Sequence, residues 1–141
     1  MAYIAQEPVL GGELMDYVEC SGPFSEDTCR YFFKQLLSGL SHIHKQGYAH
    51  RDLKPANILL DHDFDIKIVD FGFSTPLSGK RIEGMNLSIV GSPCFLAPEI
   101  ILHQPYRGDA ADLFACAIIL FYLRSKHSPF VEVASMFDAY Y

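Results

Sequence analysis

The chain has 141 residues, the length of one ordinary domain, and half of them are hydrophobic, 20% charged and 13% aromatic, which excludes disordered, collagen-like and low-complexity classes. Eleven Lys and Arg against seventeen Asp and Glu leave a net charge of −6 with no basic run, so neither nucleic acid nor an anionic membrane is an expected partner. Cys20, Cys29, Cys94 and Cys116 are scattered, with no Cys-x-x-Cys pair and no Cys/His set, so four free thiols in a reducing, cytoplasmic setting are expected.

Tyr3 to Val9 is a short apolar run that predicts a strand, ended by Pro8, which lacks a backbone donor. Glu7 and the Gly11-Gly12-Glu13 turn interrupt this first apolar stretch, so no signal peptide is expected. A short amphipathic helix is predicted from Glu13 to Val18. Ser25 is a good N-cap, and Glu26 and Asp27 suit the positive end of the helix dipole. Cys29, Phe32, Phe33, Leu36, Leu37, Leu40 and Ile43 then recur at three- and four-residue steps until Gly47 closes the helix.

Beyond Tyr48 the pattern shifts to short β segments. Ile58 to Leu60 and Ile66 to Val69 flank Asp61-His62-Asp63-Phe64-Asp65, whose length and Asp density predict a hairpin connection. Ser74 to Ser92 has no period and predicts a long loop. A short helix after Pro98 and a buried one from Ala110 follow. The latter stretch contains Asp112 and runs about 14 residues where roughly 20 are needed to span a bilayer, so it belongs to a soluble core.

Two possible metal sites fail on their chemistry. The Asp61-x-Asp63-x-Asp65 spacing invites a calcium loop, but the sixth and twelfth positions hold Ile66 and Gly72 in place of the required Gly and Glu. His42 and His44 are predicted on different helix faces with no acidic partner nearby, and are read as ordinary core or surface histidines.

A different set carries chemistry. His50-Arg51-Asp52-Leu53-Lys54-Pro55-Ala56-Asn57 lies between a helix and a strand, and is followed by Asp70-Phe71-Gly72, Gly91-Ser92-Pro93 and Ala97-Pro98-Glu99. Phosphoryl transfer needs a carboxylate to orient and deprotonate the attacking hydroxyl, a cation on the moving phosphoryl group, and oxygen ligands for Mg²⁺. Asp52, Lys54 and the pair Asn57 with Asp70 supply those types.

At these motifs, H-R-D-L-K-P-A-N, D-F-G and A-P-E, the chain resembles the eukaryotic protein kinase family. The resemblance implies that Asp52 is the catalytic base, that Lys54 contacts the γ-phosphate, and that Asn57 and Asp70 hold Mg²⁺. Residues 3–13 are similar to the last N-lobe strand and hinge. Glu7 and Val9 would then present backbone groups to adenine, with Gln6 as gatekeeper, Leu59 on the adenine floor and Glu13 near ribose and peptide. Lys54 and Ser92 look like the serine/threonine branch, and G-G-E-L-M-D-Y with S-P-F looks most like the calcium/calmodulin-dependent group. By the same resemblance Asp112 ties down the backbone at His50 and Arg51. Ser88 is either an activation-loop phosphorylation site received by Arg51 or an ordinary exposed serine.

The sequence contains no G-x-G-x-x-G and no V-A-I-K lysine, and Met1 already lies at the hinge strand. The expectation is therefore an α+β fold, mainly the helical C-lobe of a protein kinase with short β-hairpins and almost no N-lobe, over residues 1–141. The expected function is ATP- and Mg²⁺-dependent phosphorylation of Ser/Thr hydroxyls on protein substrates, with little activity from so short a chain. The alternative is a catalytically inactive fragment or pseudokinase that binds proteins. Oligomeric state is left open.

Overall fold

The computed structural model describes residue 3 and residues 5–77, 85–86 and 88–130. Its α-helices are α1 (Leu14–Ser21), α2 (Glu26–Lys45), α3 (Pro98–Ile101) and α4 (Gly108–Ser125). Its strands are β1 (Tyr48–Ala49), β2 (Ile58–Leu60), β3 (Ile66–Ile68), β4 (Thr75–Pro76), β5 (Met85–Asn86) and β6 (Tyr106–Arg107), with 3-10 turns at Pro55–Asn57 and Pro93–Phe95. This is the α+β arrangement with a dominant helical body that the motifs imply.

The long helix forms as its residues dictate. The Ser25 side chain accepts the Thr28 amide at 3.2 Å, satisfying a donor left over at the helix start. Gly47, at φ 83°, takes the left-handed conformation beyond the last turn. Cys29, Phe32, Leu36 and Leu40 are buried along one stripe, whereas Leu37 lies at the stripe's edge and is exposed. These residues pack against Ala115, Cys116, Ile119 and Leu123 of α4, Leu14 and Val18 of α1, and Ile58 and Leu60 of β2. The connection between α1 and α2 is pinned to α4 by the Phe24 amide, which donates to the Leu123 carbonyl at 2.8 Å.

The helix α4 starts two residues before its predicted Ala110. A Cβ on Gly108 would sit 2.5 Å from the Ala49 Cβ, so only glycine allows the first turn to lie on β1. Among the described residues no helix is long and apolar enough to cross a membrane.

The Asp61 hairpin forms as predicted, with Ile58 opposite Ile68 and Leu60 opposite Ile66. The Asp61 carboxylate accepts the Asp65 and Asp63 amides, each at 3.0 Å, and those bonds hold its pKa below the usual carboxylate range. Two expectations are corrected. Residues 5–10 form no strand, because no described strand lies alongside to complete a ladder. The chain first pairs further on, where the Gly11 amide donates to Leu60 and Gly12 accepts from Leu60. The predicted loop from Ser74 to Ser92 also contains β4 and β5, which pair antiparallel with β1 and β6; its residues 78–84 and 87 lie outside the described residues.

One polar tie joins α1 to α4. The Tyr122 hydroxyl donates to Glu19 in a very short hydrogen bond, and Lys126 pairs with the same carboxylate at 3.2 Å. Burial, followed by the hydrogen bond to Glu19, pushes the Tyr122 phenol up to about 12. A folded pKa above the unfolded value of about 10 means stability that is complete below pH 10 and lost as pH rises through 12. Tyrosinate absorbance on alkaline titration should therefore show one late-ionising tyrosine, and Tyr122→Phe should abolish it.

All four cysteines are free thiols. Burial raises the Cys29 pKa and, with the Asp112 charge second, drives Cys116 up to about 12. At a pH of about 8 an alkylating reagent should therefore modify exposed Cys20 in the native protein and reach Cys29 and Cys116 only on unfolding, as read by peptide mass spectrometry.

Candidate active site

Asp112 organises the region from within α4. Its side chain is 1% exposed in an otherwise apolar stretch, where a carboxylate is tolerated only if donors surround it. Its Oδ1 accepts the Arg51 amide at 2.7 Å, and its Oδ2 accepts the His50 amide at 2.9 Å. Those bonds hold Arg51 at φ 66°, a left-handed conformation that costs on the order of 1–3 kcal/mol for such a residue.

His44 also reaches Asp112, with its Nε2 2.8 Å from Oδ2. This corrects the reading of His44 as a histidine without an acidic partner, since the partner lies 68 residues downstream.

Three of the predicted residues, Asp52, Lys54 and Asn57, are bonded together, with Ser92 as a fourth member. Asp52 is 4% exposed, and each of its oxygens accepts two bonds. Oδ1 takes the Ser92 amide at 2.9 Å and the Ser92 hydroxyl at 3.0 Å. Oδ2 takes the Lys54 ammonium at 3.0 Å and the Asn57 amide at 3.2 Å. Lys54 also donates to the Ser92 hydroxyl at 2.8 Å, and Asn57 Nδ2 donates to the Asp52 carbonyl at 2.8 Å. The 3-10 turn at Pro55–Asn57 makes this geometry: its proline start and the Asn57 amide bond to the Lys54 carbonyl fold Asn57 back over Asp52.

Val69, the residue before Asp70, is bonded to this cluster. The Val69 amide donates to the Asn57 carbonyl at 3.0 Å, and the Val69 carbonyl lies 3.0 Å from His50 Nε2. The His50 ring also packs on Phe71, with centroids 4.9 Å apart. Asp70 sits at φ 62°, and its Oδ1 accepts the Gly72 amide at 3.2 Å. Its carboxylate is exposed, with Oδ2 bonded to none of the described residues. Asn57 likewise commits its Nδ2 hydrogens to Asp52 and leaves Oδ1 without a partner among the described residues. An amide oxygen and a carboxylate are hard-oxygen donors of the kind Mg²⁺ takes, so the donor chemistry of these two residues suits that ion.

Glu13 bridges Leu59, whose half-buried side chain alternates with the fully buried Ile58 and Leu60 and so lies on the face away from the core. Glu7 is exposed, with its carboxylate 3.6 Å from Lys67, and Val9 is half-buried. Neither Glu7 nor Val9 touches the Asp52 cluster through any bond among the described residues.

Sequence reasoning missed Ser92 as a direct partner of Asp52 and Lys54. The available signal was Gly91, which takes φ 109° and approaches the loop so closely that a Cβ would lie 2.7 Å from the Arg51 carbonyl. Arg51 itself turns outward. Its guanidinium donates to the Phe73 carbonyl at 2.8 Å and to Ser88 Oγ at 2.9 Å, while the Tyr106 hydroxyl donates to the Ser88 carbonyl. Gly91→Ala should destabilise the fold by roughly 1–3 kcal/mol in urea denaturation and raise the exchange rate of the Ser92 amide; an unchanged midpoint would contradict this packing.

Comparison with known proteins agrees with the geometry. The protein kinase domain family matches residues 1–139. CBL-interacting protein kinase 26 of Oryza sativa subsp. japonica is 42% identical over 128 residues, covering 91% of this chain and 26% of the relative. Maternal embryonic leucine zipper kinase of Danio rerio is 42% identical over 129 residues, covering 91% of this chain and 19% of the relative. Serine/threonine-protein kinase chk1 of Schizosaccharomyces pombe is 43% identical over 133 residues, covering 94% and 26% respectively. The chain thus spans less than a third of the length of these relatives, and within that span it belongs to the protein kinase domain family.

Proposed function

We propose that the chain is the catalytic-loop portion of a serine/threonine protein kinase that moves the γ-phosphoryl group of ATP to Ser or Thr hydroxyls of protein substrates. The observation that carries this reading is the cluster in which Lys54, Asn57 and Ser92 all bond the Asp52 carboxylate.

In this reading Asp52 orients the substrate hydroxyl and takes its proton as the oxygen attacks phosphorus. The bonds on both carboxylate oxygens fix its direction before substrate arrives, which is the preorganisation such a base needs. Lys54, already 3.0 Å from Asp52, places a positive charge beside the reacting oxygens. Ser92 accepts from Lys54 and donates to Asp52, so it holds the base and the cation at one spacing. Asn57 and Asp70 would hold Mg²⁺ through their side-chain oxygens. When bound, Mg²⁺ offsets the phosphate charge. Backbone at Glu7 and Val9, with Leu59 beneath and Glu13 at the rim, forms the adenosine side of the cleft. Arg51 is placed to receive a phosphate on Ser88, since its guanidinium already donates to that hydroxyl.

In the whole protein, Asp52→Asn should lower phosphate transfer to a Ser/Thr peptide by roughly 10²- to 10⁴-fold, the usual contribution of a positioned base, with nucleotide affinity almost unchanged. Transfer of radiolabelled γ-phosphate measures the first and equilibrium titration the second. Undiminished turnover would overturn the assignment.

A further inference from the structure

We infer that Phe64 is a positioning residue, whose ring on Tyr17 fixes the angle between the segment that leads into α1 and the β2–β3 hairpin. The consequence for nucleotide binding rests on the phosphotransfer reading above, whereas the tie itself does not.

Phe64 sits in the hairpin turn at φ 62°, a left-handed conformation that is free for glycine and strained for phenylalanine. Its backbone is held on both sides. The Phe64 amide donates to the Asp61 carbonyl at 3.2 Å, and its carbonyl accepts from Gln35 Nε2 at 3.4 Å, while Oε1 of the same Gln35 accepts the Ile66 amide at 2.9 Å. A glycine would keep all of those backbone bonds and lose the strain. The phenyl ring is therefore the one thing this residue adds to the turn.

That ring is half-exposed, and it meets the Tyr17 ring of α1 edge to face, with centroids 6.0 Å apart and planes at 75°. The arrangement is a favourable one for two aromatic quadrupoles. Tyr17 packs on the core, and its hydroxyl donates to the Gly11 carbonyl at 2.7 Å. Phe64 thus reaches Gly11 through a single side chain.

Gly11 is also bound to the base of the same turn. Its amide donates to the Leu60 carbonyl at 2.8 Å, the Leu60 amide donates to the Gly12 carbonyl at 2.9 Å, and Glu13 bridges Leu59. These contacts meet β2 at two adjacent residues, so by themselves they form a pivot. The contact between Phe64 and Tyr17 meets the hairpin beyond Leu60, away from the pivot, and removes the rotation. In the phosphotransfer reading the hairpin runs between Asn57 and Asp70, and Glu7 and Val9 lie just before Gly11. The tie then sets the adenosine side of the cleft against the magnesium side.

Amide hydrogen exchange by nuclear magnetic resonance on the full chain tests the tie. Phe64→Gly relieves the backbone, so the turn survives, and the Asp65 amide, bonded to the Asp61 carboxylate, should exchange within about twofold of its unaltered rate. The Gly11 and Leu60 amides should exchange about fivefold faster, as expected for losing one aromatic pair. Phe64→Tyr, which keeps the ring, should restore both. Tyr17→Phe keeps the ring pair and removes the hydroxyl bond, so it should quicken the same two amides; adding Phe64→Gly to it should change them by less than about twofold further, because both act along one path. Unchanged exchange at Gly11 and Leu60 in Phe64→Gly, an equal rise at Asp65, or full additivity of the two substitutions overturns the inference. In the whole protein Phe64→Gly should raise the KM for ATP about fivefold and leave kcat within about twofold. A fall in kcat with KM unchanged overturns the positioning role. If exchange responds and the unaltered protein moves no phosphate, the catalytic reading fails and the tie stands.

Discussion

A carboxylate buried inside an apolar helix needs hydrogen-bond donors, and Asp112 draws all of its donors among the described residues from two other parts of the chain. The loop amides of His50 and Arg51 and the α2 imidazole of His44 meet on its two oxygens. Removing one donor from such a buried carboxylate commonly costs about 1.5–3 kcal/mol. The loop is therefore held against α4 by a penalty rather than by apolar contact. The same bonds sustain Arg51 in a backbone conformation that it would not adopt alone.

From that anchor the candidate site is assembled by short-range chain geometry. Arg51 takes its left-handed conformation, the Pro55 turn folds Asn57 back to Asp52, and the β2–β3 hairpin returns Val69 to bond Asn57. Gly91, which must approach the Arg51 carbonyl, delivers Ser92 to Asp52 from the other side. Three segments far apart in sequence thus contribute polar atoms to one small volume, while two oxygens, on Asn57 and Asp70, stay open. Rigid groups around a carboxylate and open oxygens beside it suit positioning and electrostatic work, as phosphoryl transfer demands.

The segment before Gly11 illustrates how pattern and context diverge. Its apolar run from Tyr3 to Val9 has strand composition, yet a strand is a relation between neighbours, and no described strand lies beside it. β4 and β5 show the converse. They sit in a stretch without periodicity, and become strands only because β1 and β6 offer partners at Tyr48, Ala49, Tyr106 and Arg107.

Local chemistry was readable without coordinates. The Ser25 cap, the Gly47 stop, the three- and four-residue stripe of α2 and the Asp-rich hairpin each depend on residues within a turn or two of one another. The grouping of Asp52, Lys54 and Asn57 was likewise legible, because its members lie close along the chain and their chemical types are distinctive. What the tertiary structure alone decided are the contacts of long separation. His44 acquires an acidic partner 68 residues away, and Ser92 reaches across 38 to 40 residues to Lys54 and Asp52. Periodicity reports which face of an element is apolar, but it carries no information on which distant polar group will be folded against that face, since that is set by how the helices and turns pack together.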